Sequence, residues 1–264
     1  MMIQILKLGG SVITDKAVSR VARKSVIKRL SREISSAKKR KDFRLVLVNG
    51  AGSFGHTPVS EFGLKEGMHD KNTRIGFTLV HKYVEDLNRI LWDSLNEEGV
   101  VSIPVHPASF VIHEGRKILK FDTDVIENLL QNDITPLLYG DVVLDTVHGC
   151  SIISGDDIVP YLAGKLGAER ICMGSNTDGI FDMDPRKFPK AVMIDEIVNE
   201  NYESVLAGLS GSTHVDVTGG MREKVRKLAE SVRGTECIIY NAEKTGNTEK
   251  ALLGEKIGTK ISIS

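Results

Sequence analysis

The sequence predicts an α/β fold: a mostly parallel sheet with helices on both faces. Three observations carry that expectation. Short apolar runs alternate along the chain with longer stretches whose apolar residues recur at helical spacing. The run Leu45-Val46-Leu47-Val48 is continuous rather than alternating, as in strands buried on both faces. Glycine clusters follow directly on two of the runs, at Gly9-Gly10 and at Gly50 to Gly55.

Taken in order, Ile3 to Leu8 reads as a strand ending at Gly9-Gly10. Val26, Leu30, Ile34 and Ala37 mark a helix whose other side carries Lys28, Arg29, Arg32, Lys38, Lys39 and Arg40, a solvated face rather than a basic arm. Leu45 to Val48 is the second strand. Phe77, Val80, Val84, Leu87, Leu91 and Leu95 outline a long helix, and Val100 to Val105 a strand after it. Phe110-Val111-Ile112 and Ile118-Leu119 flank Glu114-Gly115-Arg116 as a hairpin. Thr135 to Tyr139 is a further strand, and Val142 to Ile153 forms a second hairpin around His148-Gly149. In the second half, Arg170 to Gly174 and Glu236 to Tyr240 read as strands and Arg222 to Val232 as a helix. Leu252 to Ile263 closes the chain with a Gly-Thr turn and a short strand. This rhythm fits one domain over residues 1–264, with a soft boundary near Gly164 to Ala168 dividing lobes 1–166 and 167–264.

Composition narrows the partners. Lys+Arg and Asp+Glu both number 35 in 264 residues, a balance that argues against nucleic acid or an acidic membrane as partner. Cys150, Cys172 and Cys237 form no CxxC and no closed pairing, as expected in a reducing cytoplasm. No run reaches the roughly 18 apolar residues of a membrane span, and no signal-peptide pattern opens the chain.

Four stretches suit phosphate. Lys7-Leu8-Gly9-Gly10-Ser11 stands at a strand's carboxyl end, where ligands of open α/β sheets collect; its plain alternative is a tight turn with a surface lysine. Gly50-Ala51-Gly52-Ser53-Phe54-Gly55-His56 reads as a glycine loop at the next strand's end. It is neither a Walker A loop nor GxGxxG with a ribose-binding acid, which makes a nicotinamide dehydrogenase a poor fit. A histidine directly after such a loop suggests a ligand, although many loop histidines are structural. Ser154-Gly155-Asp156-Asp157 is either a helix N-cap or a site whose Asp orients lysines or binds metal. Asn176-Thr177-Asp178-Gly179 holds a nucleotide or makes a plain turn, and Thr218-Gly219-Gly220-Met221 with Lys224 one turn on would clamp a polyphosphate. No Ser-His-Asp or Cys/His metal spacing competes. Phosphoryl transfer is the reaction that uses such parts.

On these stretches, together with Tyr139-Gly140-Asp141-Val142, Thr177-Asp178-Gly179-Ile180-Phe181 and Asp216-Val217-Thr218-Gly219-Gly220-Met221, the sequence resembles the amino acid kinase family along its whole length. The stretch ending in His56 is similar to that of isopentenyl phosphate kinases and their fosfomycin-kinase relatives; Asn49 departs from the His that related kinases often carry there. The resemblance implies a three-layer αβα sandwich with an open, mainly parallel central sheet and β-hairpins over an acceptor lobe. It implies residues 1–166 for the acceptor, 167–264 for ATP with Mg2+, and a homodimer. The acceptor it implies is isopentenyl phosphate, with dimethylallyl phosphate as a further candidate, and the product serves isoprenoid synthesis.

The roles expected on this basis fall into three groups. Lys7, Lys16, His56 and Asp156 would be catalytic, with Lys16 assigned mostly by the resemblance. Lys7, Leu8, Gly9, Gly10, Ser11, Ala51, Asp178, Gly179, Gly220 and Lys224 would bind ATP. Gly50, Ala51, Gly55, His56, Gly155 and Phe77 would frame the acceptor, with the helix carrying Phe77 as a wall of an apolar tail pocket, although core packing explains Phe77 almost as well. No protein ligand for metal is expected, Mg2+ arriving on ATP. Two alternatives stay open: a fosfomycin-type or other small-molecule phosphate kinase, and a non-catalytic nucleotide or oxyanion storage or sensor protein.

Overall fold

The computed structural model describes residues 1–15, 17–183, 185, 187–209, 220–231 and 234–263. Among them, eight strands form one sheet. Its spatial order is Glu196–Ile197, Thr259–Ile261, Glu236–Asn241, Arg170–Ser175, Ile3–Leu8, Arg44–Asn49, Thr135–Tyr139 and Ser102–Pro104. Neighbours run parallel except Thr259–Ile261, which is antiparallel to Glu236–Asn241.

Side chains alternate across these strands and feed two cores. Leu6, Leu8, Leu45, Leu47 and Cys172 point to one face, where Ile34, Leu87 and Leu91 cover them. Ile5, Val46, Val48, Ile171 and Met173 point to the other, under Ile158, Leu162 and Leu228. The result is the three-layer αβα sandwich, and it explains why the central strands carry near-continuous apolar runs rather than alternating ones. Among the described residues no helix is long and apolar enough to cross a membrane.

The long helix Lys71–Glu97 begins at a capping box: the Asp70 carboxylate accepts the Thr73 N–H at 2.8 Å, and the Thr73 hydroxyl accepts the Asp70 N–H at 3.0 Å. It lays Val80, Val84, Leu87, Leu91 and Leu95 on the sheet. Its one fully buried amide, Asn88, donates to Asn49 Oδ1 at 2.8 Å and so fixes the carboxyl end of the second strand.

Both expected hairpins form. Val111–Glu114 pairs with Lys117–Phe121, and Asp141–Asp145 with Gly149–Ile153; together they make a separate four-stranded sheet. The helix Gly155–Leu166 ends on Gly167, at φ +61. One expectation is corrected. Gly50 to His56 is not a loop throughout, because the helix Gly52–Glu61 starts inside it and carries His56 in its second turn. Three glycines in six residues disguise a helix by propensity, and tertiary packing of Phe54 and Val59 overrides that preference.

Ile3–Leu8 lies between Arg44–Asn49 and Arg170–Ser175. The chain builds one side of the sheet before crossing to the other, so the carboxyl end of this strand is a topological switch point, where such sheets bind ligands. Five glycines meet there: Gly9, Gly10, Gly50, Gly52 and Gly174. Gly9 N–H donates to Gly174 O at 2.9 Å, and Gly50 N–H to Leu8 O at 2.8 Å. A Cβ on Gly50 would stand 2.6 Å from Gly10 N, and one on Gly10 would stand 2.6 Å from Gly52 Cα. The two glycine turns thus touch backbone to backbone. Gly10→Ala should therefore part them and destabilise the protein by about 1–3 kcal/mol, the usual range for overpacking. Equilibrium unfolding in urea measures this, and an unchanged midpoint would contradict the close approach.

Candidate active site

A cavity of about 1260 Å³ opens at this switch point. Three helix N-termini face it: Gly52 and Ser53, Gly155 and Asp156, and Met221 of the helix Gly220–Ser231. Each turns the positive end of a helix dipole toward it.

Lysines reinforce that field. Lys7, at 7 % exposure, donates to Asp156 Oδ1 at 2.7 Å. Lys224 and Lys227 reach the same cavity from the third helix, and Lys227 Nζ lies 2.5 Å from Asp157 Oδ1. Asp157 Oδ2 in turn accepts the N–H and hydroxyl of Ser154 at 3.0 and 2.6 Å, closing the start of its helix. Burial alone would raise the pKa of Asp156. The charges of Lys7, Lys224 and Lys227 override it and hold the carboxyl well below the usual carboxylate range. Three ammonium groups against two carboxylates leave an excess of positive charge for an incoming polyanion.

Thr14 ties the first turn to the second helix. Its hydroxyl donates to Gly10 O at 2.8 Å and accepts the Ser53 N–H at 3.2 Å. At the other end, Asp178 Oδ1 accepts from Asn241 Nδ2 at 2.9 Å and from Lys244 Nζ at 2.7 Å; the Lys244 and Asn241 bonds lower its pKa.

Away from the lysines the cavity turns apolar, with Val59, Leu64, Val80, Val84, Val142 and Ile153 in its wall. Asp141 is the carboxylate of this region. Burial pushes its pKa up, opposed by His81, whose Nδ1 is 3.0 Å from Oδ2. That pairing offsets a negative charge that would otherwise meet an anionic substrate.

Of the residues expected from sequence, Lys7, Gly9, Gly10, Ser11, Gly50, Ala51, Gly55, His56, Gly155, Asp156, Asp178, Gly179 and Lys224 line this one cavity. Leu8 is fully buried beneath it as the last residue of the strand, and Gly220 opens the third helix. Phe77 is placed otherwise than expected. It packs partly buried against the first core, one turn before Val80, and the long helix walls the cavity with Val80 and Val84 instead. Lys16 and the stretch 210–219, including Thr218 and Gly219, lie outside the described residues. Sequence reasoning missed Thr14 and Lys227. Lys227 was detectable, being one helical turn beyond Lys224 and on the same face. Thr14 had no local signal, because its role depends on two turns meeting.

The depressed Asp156 pKa has a consequence for stability. The unfolded carboxyl titrates near ~3.9. Because the folded value is lower, the stabilisation is complete above the unfolded pKa and is lost as pH falls toward the folded one. Asp156→Asn should therefore lose less stability than the parent between about pH 5 and pH 3. Urea unfolding at both pH values tests this, and equal losses would contradict it.

The amino acid kinase family model matches residues 2–241. Isopentenyl phosphate kinase of Methanocaldococcus jannaschii is 37% identical, over 100% of both chains, and that of Methanothermobacter thermautotrophicus is 36% identical over 98% of each. A solved isopentenyl phosphate kinase superposes with a TM-score of 0.84 at 34% identity, covering 98% of this chain and 100% of its own. An isopentenyl phosphate kinase substrate complex gives 0.76 at 29% identity, covering 98% and 99%. UMP kinase from Ureaplasma parvum, at 14% identity and a TM-score of 0.66, shares the fold alone. This chain belongs to the amino acid kinase family and, within it, to the isopentenyl phosphate kinases.

Proposed function

We propose that this chain transfers the terminal phosphoryl group of Mg-ATP to isopentenyl phosphate, giving isopentenyl diphosphate and ADP. The observation that carries the proposal is a single cavity with two unlike ends. One end gathers helix N-termini and lysines, and the other is walled by aliphatic side chains. A polyphosphate and a phosphate with a short branched hydrocarbon tail fit those ends in turn. The names of the relatives support the same substrate pair.

In the transfer, an oxygen of the acceptor phosphate forms a bond to the γ-phosphorus as the bond to the β,γ-bridging oxygen breaks. The leaving electron pair stays on ADP. A phosphate monoester has a second pKa near ~6, so at neutral pH its oxygen is already anionic and needs no general base. The obstacle is the meeting of two polyanions, and positioned positive charge lowers it. We assign that work to Lys7 and Lys16, with Asp156 orienting Lys7 and its own negative charge offset by Lys224 and Lys227. Gly9, Gly10 and Ser11 would contact ATP phosphates, as would Gly220 and Lys224, while Asp178 and Gly179 would hold the rest of the nucleotide. Gly50, Ala51, Gly55, His56 and Gly155 would frame the acceptor phosphate. Mg2+ would enter with the nucleotide substrate.

The acceptor would thus sit within residues 1–166 and the nucleotide largely within 167–264. Dimethylallyl phosphate, of the same size and charge, is a second candidate acceptor. A fosfomycin-type acceptor would leave much of the aliphatic wall unused. We also propose a cytoplasmic homodimer, supported by the family resemblance and, for the compartment, by three buried free cysteines.

His56 is exposed in the cavity on the second turn of its helix, where a ring N–H can reach a phosphate. His56→Ala should raise the KM for isopentenyl phosphate about tenfold or more, the worth of a charge-assisted hydrogen bond, with the ATP KM within about twofold. Initial-rate kinetics in both substrates check this. Parent turnover with an unchanged acceptor KM in the variant would remove His56 from the acceptor site.

A further inference from the structure

The two hairpins converge on a side chain that the transfer chemistry does not use. Asp145 ends the strand Asp141–Asp145 and is 3 % exposed. Its Oδ1 accepts the backbone N–H groups of Gly115, Val147 and His148 at 3.2, 2.9 and 3.0 Å, and its Oδ2 accepts that of Arg116 at 2.7 Å. One carboxylate therefore holds the turns of both hairpins. Burial disfavours its charge, but these four donors keep its pKa well below the usual carboxylate range.

The tips so fixed grip another part of the chain. Arg116 stands at φ +68, a region that residues other than glycine rarely adopt, and from there its Nη2 donates to Lys65 O at 2.9 Å. Met68 N–H donates to His148 O at 2.8 Å. Two glycines permit this approach: a Cβ on Gly67 would collide with His148 O, and one on Gly149 would stand 2.8 Å from Met68 O. The gripped segment, 62–70, joins the helix carrying His56 to the helix carrying Val80 and Val84. Leu64 and Lys65 from the segment, and Arg116 from the hairpin, all line the cavity.

We propose that Asp145 and Arg116 are positioning residues for the acceptor, fixing the hairpin tips against segment 62–70 and so setting the size of tail that the apolar end of the cavity admits. The proposal rests on the acceptor reading given above. Asp145 acts only through Arg116 and the two turns. The lysines and helix N-termini that face the polyphosphate lie outside this set of contacts, so nucleotide affinity should not follow it.

Arg116→Gly is the informative variant. Glycine suits a left-handed φ and keeps the backbone N–H donated to Asp145, while the guanidinium bridge to Lys65 is lost. Expected results are an acceptor KM raised about fivefold, a smaller change in kcat, and an ATP KM within about twofold. The rate with a longer prenyl phosphate should rise relative to isopentenyl phosphate. Hydrogen exchange at the amides of 62–70 should quicken, although the unfolding midpoint is no lower than in the parent. A merely structural role would move stability and leave the preference for tail size alone. Asp145→Asn should shift acceptor KM, tail preference and exchange in the same directions, with a lower midpoint. Unchanged exchange together with unchanged tail preference in Arg116→Gly would overturn the proposal while leaving the acceptor reading intact. Absence of parent turnover with isopentenyl phosphate would overturn that reading, and this proposal with it.

Discussion

The parallel alignment of three central strands is the constraint on which the site depends. Ile3–Leu8 sits between Arg44–Asn49 and Arg170–Ser175 with all three carboxyl ends on one side. The first two strands are followed by glycine and the third carries Gly174 next to its end, so their turns can touch: Gly9 bonds to Gly174, and Gly10 packs on Gly50 and Gly52. Larger residues would hold these turns apart. The helix Gly52–Glu61 would then start further from Lys7, and the Thr14 hydroxyl could not bridge Gly10 O and Ser53 N. Backbone contact among small residues thus sets where the helix N-termini and the lysines point.

That placement explains an otherwise costly feature. A lysine at 7 % exposure, paired to Asp156 through one 2.7 Å bond, is not an efficient way to stabilise a fold, because desolvation offsets much of the attraction. Lys224 and Lys227 crowd more positive charge around the same carboxylate. The arrangement gains its full electrostatic return when a polyanion is bound, and for phosphoryl transfer between two phosphates that charge is the chief requirement. The apolar end answers the other half of the substrate. Val59, Val80, Val84 and Val142 offer dispersion contacts and no polar partner, which suits a hydrocarbon tail.

Much of this was legible in the sequence because it is local. Continuous apolar runs disclosed strands buried on both faces, and the spacing from Val80 to Leu95 disclosed the long helix. Glycines next to strand ends disclosed the turns. What escaped depends on tertiary contact. The helix within Gly50 to His56 is stabilised by the core packing of Phe54 and Val59 and not by the intrinsic helix propensity of its residues. Phe77 satisfies the same periodicity as Val80 and Val84, so spacing could not tell the residue beyond the cavity from those that line it. Asp145 reads as an ordinary turn residue until both hairpins are seen to share it. The short helices Asp124–Gln131 and Tyr202–Gly208 carry too few turns for periodicity to separate them from connecting segments.

The most direct test of the central claim follows phosphorus itself. Phosphorus-31 NMR of the protein with Mg-ATP and isopentenyl phosphate should show the monoester resonance replaced by a coupled pair from a diphosphate, in step with conversion of ATP to ADP. A monoester signal that persists while ATP is consumed, or while ATP remains bound and intact, would contradict the account.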